Sequence, residues 1–336
     1  MSAERLVGCR IVVRYLREPA ADGPPQSDLV GELTAVEPDS ITVDTRRGPV
    51  TVDRAAVLVL KPVAASRRDV LELERISRRG WRAAEQAELH GWLLYADHGW
   101  TGRANSVLPL RSPDRPLPEL LDAARRYYAA RGLPLQIQLP LPARDRLDGE
   151  LAARHWPVER RSVVLTRSLL TGPVSALPAG YRFEAADRPD PDWLAGYHYR
   201  GGQLPEHAVQ LLTRHDRVSF VSIRTADQLV AIGRGAADEG WLGVTAVEVA
   251  EPHRRRGLAA GLMRRLYDWG LGQGARRCYL QVDQSNTAAL ALYQQLGFTE
   301  HHRYHYRIEP DRAEAGATAA SDRPAQRHQG WLDDQS

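Results

Sequence analysis

Val247-Glu-Val-Ala-Glu-Pro-His-Arg-Arg-Arg-Gly-Leu-Ala259 reads as a strand that feeds an arginine-rich loop and then, with no linker, a helix. The helix is legible because Leu258, Leu262, Leu266 and Trp269 recur at helical spacing, while Arg264 and Arg265 fall off that apolar stripe. A junction of this kind gathers the unpaired N–H groups of a first helical turn, the positive end of the macrodipole and guanidinium charge in one small volume. Gly257 lets the backbone approach a ligand closely and take a positive φ. Those are the requirements of a pyrophosphate cradle. Away from such a junction, Arg254–Arg256 would read as an ordinary solvated turn.

Downstream, Ser285-Asn-Thr-Ala-Ala-Leu-Ala-Leu-Tyr-Gln-Gln-Leu-Gly-Phe298 is a second helix, capped by Ser285 or Asn286 and stopped by Gly297. Ala289, Leu292, Tyr293 and Leu296 line its inward face. Taken together, the two blocks resemble the GNAT superfamily of acetyl-CoA-dependent N-acetyltransferases. Arg254, Gly257 and Ala259 match that family's loop pattern Gln/Arg-x-x-Gly-x-Gly/Ala, and the Asn…Leu-Tyr…Gly-Phe signature follows at the family's usual distance.

The resemblance implies acetyl-CoA as co-substrate and no metal. Arg254, Arg255, Arg256, Gly257, Leu258 and Ala259 would hold the pyrophosphate. Asn286 and the main chain of Val247 and Val249 would hold the pantetheine arm. Tyr293 would be the general acid that protonates the departing thiolate. The run Gln281–Asn286 also resembles ribosomal-protein alanine N-acetyltransferases, which carry a glutamate base where this chain has Gln281. An amide cannot accept a proton. Glu248 is the nearest replacement, acting through water; strand alternation alone equally allows it to face solvent.

The same half is expected twice. Trp156 stands to Phe298 as Gly132 stands to Gly274, at one common separation. That offset lays the helix Leu117–Arg131 over Ala259–Gln273, the strand Leu135–Leu139 over Arg277–Gln281, and Leu147–His155 over the helix of Tyr293. At the first copy's loop stands Arg111-Ser-Pro-Asp-Arg-Pro-Leu-Pro118, where proline lacks the donor a phosphate needs and no glycine occurs. This copy is expected to pack as a scaffold without binding CoA. Gly102–Ser106 falls on its equivalent of the thioester strand, and there Arg103 and Asn105 are candidate acceptor ligands, Arg103 for an acidic group. Tyr197, with His198 and Tyr199, is expected to line the amine site.

Residues 6–62 alternate apolar and polar in five short strands separated by Gly/Pro/Asp turns, which suggests an SH3-like barrel with an OB-fold as the competing choice. The whole arrangement resembles actinobacterial GNAT proteins with an SH3-like leader. The expected chain is therefore α/β (α+β): a barrel over 1–64, a degenerate GNAT-like half over 68–170, a catalytic half over 178–310 and a disordered tail over 311–336. A helix is expected over Asp69–Gln86 and strands over 92–110.

Composition narrows the partners. The 336 residues carry 45 basic and 42 acidic side chains for a net charge of +3, which gives no support to a nucleic-acid partner. Lys61 is the only lysine, so arginine abundance by itself is compositional bias. Cys9 and Cys278 lie far apart, and His301, His302 and His305 lack accompanying metal ligands on an expected half-exposed strand. No apolar run is long enough to span a bilayer, so a cytoplasmic protein with no membrane partner is expected, and a homodimer is allowed. The expected function is transfer of an acetyl group from acetyl-CoA to a small-molecule or peptide primary amine by direct attack. The alternative is a non-catalytic acyl-CoA-binding sensor or adaptor protein.

Overall fold

A computed structural model describes residues 3–17, 26–169, 177–198, 204–226 and 228–310; the expected tail over 311–336 lies outside the described residues. Five strands come first: β1 (Arg10–Leu16), β2 (Gln26–Val36), β3 (Ser40–Thr45), β4 (Gly48–Asp53) and β5 (Val57–Pro62), paired in the order β4-β3-β2-β1-β5. Alternation decides their inner face. Ile11 and Val13, Leu33, Ile41 and Val43, and Val52 bury together with Leu6. This unit sits against the rest of the chain through Arg277–Glu32 (2.9 Å) and Arg10–Asp69 (3.1 Å).

Helix α1 (Arg67–Arg79) starts on a capping box in which Ser66 and Asp69 satisfy each other's backbone N–H groups. It ends at Gly80, short of the expected Gln86, because β6 (Glu85–Leu89) is already paired with β7 (Trp92–Ala96) as a hairpin. There follow β8 (Val107–Pro109), α2 (Leu117–Ala129), β9 (Gln136–Leu141), α3 (Asp145–Ala152) and β10 (Val158–Ser168). The next elements are β11 (Tyr181–Ala186), α4 (Pro191–Ala195), α5 (Ala208–Thr213), β12 (Val218–Thr225), β13 (Gln228–Asp238) and β14 (Trp241–Val249). Last come α6 (Leu258–Gly272), β15 (Arg277–Asp283), α7 (Thr287–Gln295) and β16 (Thr299–Ile308).

From β6 onward all strands join one eleven-stranded sheet, ordered β11-β12-β13-β14-β15-β10-β16-β9-β8-β7-β6. The order reads almost the same from either end. Counting outward from the central β10–β16 pair, β15 mirrors β9, β14 mirrors β8, β13 mirrors β7 and β12 mirrors β6. Each half gives its last strand to the other. β10 pairs with β15 from Ser162↔Asp283 to Ser168↔Arg277, and β16 pairs with β9 from Arg303↔Leu141 to Ile308↔Gln136. The helices repeat too, α2 and α3 flanking β9 as α6 and α7 flank β15.

Three apolar clusters involve the second half, one of them joining Leu73 and Ile76 of α1 to Trp241, Tyr279, Tyr304 and Tyr306. On one side Leu258, Leu262 and Leu266 of α6 pack with Val221, Ile223, Val244, Tyr293 and Phe298. A second cluster joins Trp81, Tyr95 and Leu108 of the first half to Trp193, Tyr197, Phe220 and Ile232 of the second. Among the described residues no helix is long and apolar enough to cross a membrane.

Candidate active site

Strands β14 and β15 run parallel and pair only from Trp241↔Arg277 to Val244↔Leu280. Beyond that point β15 keeps its other neighbour, β10, while β14 continues to Val249 against β13 alone. The two strands part. Where they part, β14 is bulged: Arg234 faces Thr245 and Ile232 faces Glu248, so Ala246 and Val247 share the place opposite Gly233. Ala246 takes φ 54°, an uncommon value for a residue with a side chain. The bulge splits the strand's side chains between the two clusters, with Val247 and Val249 against the α6 core and Ala246 against that of Trp81 and Tyr197.

At the end of β14 the chain turns through Glu251–His253 into the arginine loop. Gly257 is the N-cap of α6 with φ 79°, and a Cβ there would touch nothing within 4 Å. Arg255 also takes a positive φ of 59°. Among the described residues, the backbone N–H groups of 255–260 have no acceptor, and the first intrahelical bond is Gly261 to Gly257. The loop is anchored from below. Arg254 Nε donates to the Val249 carbonyl (3.1 Å), and Arg256 donates to the Tyr181 hydroxyl (3.2 Å), which in turn meets His253 Nδ1 at 3.0 Å. Arg254, Arg255 and Arg256 are all exposed around these open amides. The corresponding corner of the first half is built differently: Pro116 caps α2 with no side-chain bond, Arg111 is tied to Glu88 (2.7 Å), and Asp114 to His90 (2.7 Å).

Across the gap, Asn286 caps α7, its Oδ1 accepting from the Ala289 N–H at 3.0 Å. Tyr293 is buried on α7 and stacks edge-on against Phe298 at 5.6 Å. Burial pushes its phenol well above the ordinary tyrosine value, with Cys278 adding to the shift. Gln281 accepts from the Tyr304 hydroxyl (3.1 Å), while its Nε2 is buried with no partner.

Glu248 is partly buried rather than solvent-facing. Its carboxylate accepts from the His198 backbone N–H (2.9 Å) and lies 3.3 Å from His198 Nδ1. Burial raises its pKa, and the contacts with His198 and Arg254 offset this only in part. Tyr197 is buried against Trp193 and Trp100; Tyr199 lies outside the described residues.

Two expectations from the first half need correction. Gly102–Ser106 is not strand but a turn before β8, because Asn105 pins it. Asn105 is 1% exposed, accepts from the N–H groups of Asp97 and Gly99, and donates to the carbonyls of Asp97 and Thr101. All four of its bonding positions are spent on the turn, so it is not an acceptor ligand. Arg103, by contrast, lies over the Trp81 ring (5.1 Å) in the wall of a cavity of about 230 Å³. The cavity runs from the β14 bulge (Thr245, Ala246) past Gln281 to Tyr197, Tyr304, Tyr306 and Arg160. Arg160 carries no motif that a reading by family pattern would flag. It reaches this half only because β10 is exchanged, and it sits at a bulge of β10 with φ 46°.

The histidines on β16 are more buried than expected; His301 and His302 meet through Nδ1 at 2.8 Å, and His305 turns elsewhere. His302 meets the buried Glu74 at 2.9 Å, and His305 meets Asp148 at 2.8 Å.

Comparison with known proteins gives a consistent picture. A family model described as "Probable histone acetyltransferase Rv0428c C-terminal" matches residues 68–307, and one described as "Rv0428c N-terminal Sm-like domain" matches 5–61. The chain is 33% identical over 314 residues to the probable histone acetyltransferase Rv0428c of Mycobacterium tuberculosis, covering 89% of this chain and 94% of that one. It is 30% identical over 248 residues to the uncharacterized N-acetyltransferase YobR of Bacillus subtilis, covering 72% of this chain and 99% of that one. Among solved structures, a GCN5-related N-acetyltransferase from Kribbella flavida shares the fold at TM-score 0.54 and 19% identity, over 74% of this chain and 98% of the other. A tandem GNAT protein from the clavulanic acid biosynthesis pathway does so at TM-score 0.54 and 12% identity, over 74% and 90%.

Proposed function

Because the chain belongs to the GNAT superfamily of N-acetyltransferases, we propose that it transfers the acetyl group of acetyl-CoA to a primary amine by direct attack in the cytoplasm. The observation that carries this reading is the row of unsatisfied N–H groups at 255–260, at a helix's positive end and ringed by three exposed arginines. A diphosphate fits such donors, and the pantetheine arm then runs into the gap between β14 and β15. There the β14 edge beyond Val244 has main-chain groups not paired with β15, and Asn286 stands opposite.

With the thioester at the bulge, each step has a group to serve it. Glu248 takes the ammonium proton through water, its raised pKa making it a better base than an exposed carboxylate. The free amine attacks the acetyl carbon. A β14 N–H near Val247 stabilises the oxyanion as it forms. As the tetrahedral adduct collapses its nitrogen gives its second proton to water, the C–S bond breaks, and Tyr293 protonates the thiolate and regains its proton from water. The first half, with prolines at its corner, serves as scaffold and acceptor wall.

The test is Gly257→Glu, which aims a carboxylate at the cradle, set against Gly257→Ala, which meets the same strain at φ 79° without the charge. Coenzyme affinity measured by calorimetry should drop by roughly 100-fold or more, as expected when a phosphate contact becomes charge repulsion. Unchanged affinity removes the loop from coenzyme binding. Coenzyme binding without thiol release across an amine panel would instead favour the sensor.

A further inference from the structure

Three features of the cavity beside the β14 bulge bear on what amine it takes. The first is its charge. Arg103 and Arg160 line it, and Arg234 lies behind, its guanidinium 5.3 Å from the centre of the Trp81 ring that Arg103 also covers. Arg234 is 1% exposed and bonds only to the Leu212 and Gly80 carbonyls, with no carboxylate partner among the described residues. Among the described residues Asp283 is the one carboxylate in the cavity wall, at the exposed end of β15, and its Oδ1 already accepts from the Ser285 N–H and hydroxyl. Glu74 lies deeper, bonded to His302 and Gln138, and its charge acts on Arg78 and Arg103 as well, so that among the cavity's arginines Arg160 is the one it does not reach. Two part-buried arginines in the wall and a buried one behind it favour an anion from outside.

The second feature is a set of buried polar atoms with no protein partner, all on cavity-lining residues: Arg160 Nε, Gln281 Nε2 and Thr245 Oγ1. Buried donors are rarely left unmade, and each costs free energy until a ligand satisfies it. The third is support. Arg160 donates to Gln136 Oε1, Gln136 Nε2 donates to the Asn105 carbonyl, and the Arg160 guanidinium lies 4.6 Å over the Tyr306 ring. Gly102 leaves room for it: a Cβ there would stand 3.3 Å from Arg160 Cζ. The glutamine at 281 also fits, since a glutamate would replace a donor with charge that competes with the ligand's anion.

Resting on the acetyltransferase reading, we propose that the acceptor is a small primary amine bearing a carboxylate, bound through Arg160, Arg103 and Gln281, with its amine toward Glu248. A lysine-rich protein tail, which brings further positive charge, is disfavoured. The selective group comes from the first half by way of the exchanged strand β10.

The experiment pairs L-alanine, L-glutamine and L-phenylalanine with their C-terminal amides, and adds a lysine-rich histone-tail peptide, with the full chain and acetyl-CoA. At least one acid should exceed its amide in kcat/KM by roughly 10- to 100-fold, the range of one charge-assisted pair. Arg160→Gln should erase that ratio by raising KM for the acid far more than for the amide, with coenzyme affinity held; a merely structural arginine would impair both substrates equally. Amides or the peptide acetylated as well as any acid, or both members of a pair impaired equally, would overturn the proposal. Direct binding separates this from failure of the catalytic reading. N-acetylalanine and N-acetylalaninamide are titrated with CoA present, followed by calorimetry. Stronger binding of the acid supports the anion site even without turnover, and equal binding sinks it.

Discussion

Tyr293 and Glu248 have the opposed titrations that an acid and a base require. Burial keeps the Tyr293 phenol protonated throughout the working range, and none of the described residues hydrogen-bonds its hydroxyl. Tyr293→Phe therefore leaves no stranded partner and should not lower the melting temperature. It should still lower kcat by roughly 10²- to 10⁴-fold with coenzyme affinity held, as loss of a general acid does; equal turnover would take Tyr293 out of the mechanism. For Glu248 the sign runs the other way. Its folded pKa is raised by burial, so the native state binds the proton more tightly than the unfolded chain does. Stability is then lost as pH rises through that window, and Glu248→Gln should raise the melting temperature at neutral pH but not near pH 4, about the free carboxylate value. Activity moves oppositely. kcat/KM should fall on acidification along a limb above the ordinary glutamate range, and that limb should vanish in the glutamine variant.

At the scale of an element, α7 is held chiefly by its ends, because Tyr293 is its one fully buried residue and most of its other faces are exposed. Asn286 is therefore asked to do two things. Its Oδ1 caps the helix, and its amide is proposed to face the pantetheine arm. Substitution separates them. Asn286→Ala should cost about 1 kcal/mol of stability and weaken coenzyme binding. Asn286→Asp should restore the melting temperature, since aspartate caps as well and suits the helix dipole, yet leave coenzyme binding weak. Recovery of both would reduce Asn286 to a cap. Elements of this kind were legible from sequence where periodicity and end signals agree, as in α6 with Gly257 before it and an unbroken run from Leu258 to Leu266. Legibility failed for Asp69–Gln86, where helix-favouring Glu85 and Gln86 lie on a strand because pairing with β7 overrides local preference. It failed again at Asn105, whose role depends on a turn that only the folded backbone reveals.

For the whole molecule, the repeat could be read from element spacing, but the exchange of last strands could not, since nothing local in β10 or β16 says which neighbour each will take. That exchange decides what can be separated. A fragment of residues 177–310 lacks β10, leaving the β15 edge from Arg277 to Asp283 unpaired and β16 without either neighbour. A fragment ending at Leu169 keeps β10 but loses β16 from between it and β9. Open edges of this length favour aggregation over folding. Asp148 of α3 compounds the loss, for it binds both His305 (2.8 Å) and Arg307 (2.7 Å) on β16. Expressed apart, the two fragments should show no cooperative melt; refolded together they should regain one transition and the sheet's circular-dichroism signal. A second half that melts cooperatively alone would mean that the catalytic unit does not need β10. Arg160 would then have to reach the cavity for some reason other than the exchange that now places it there.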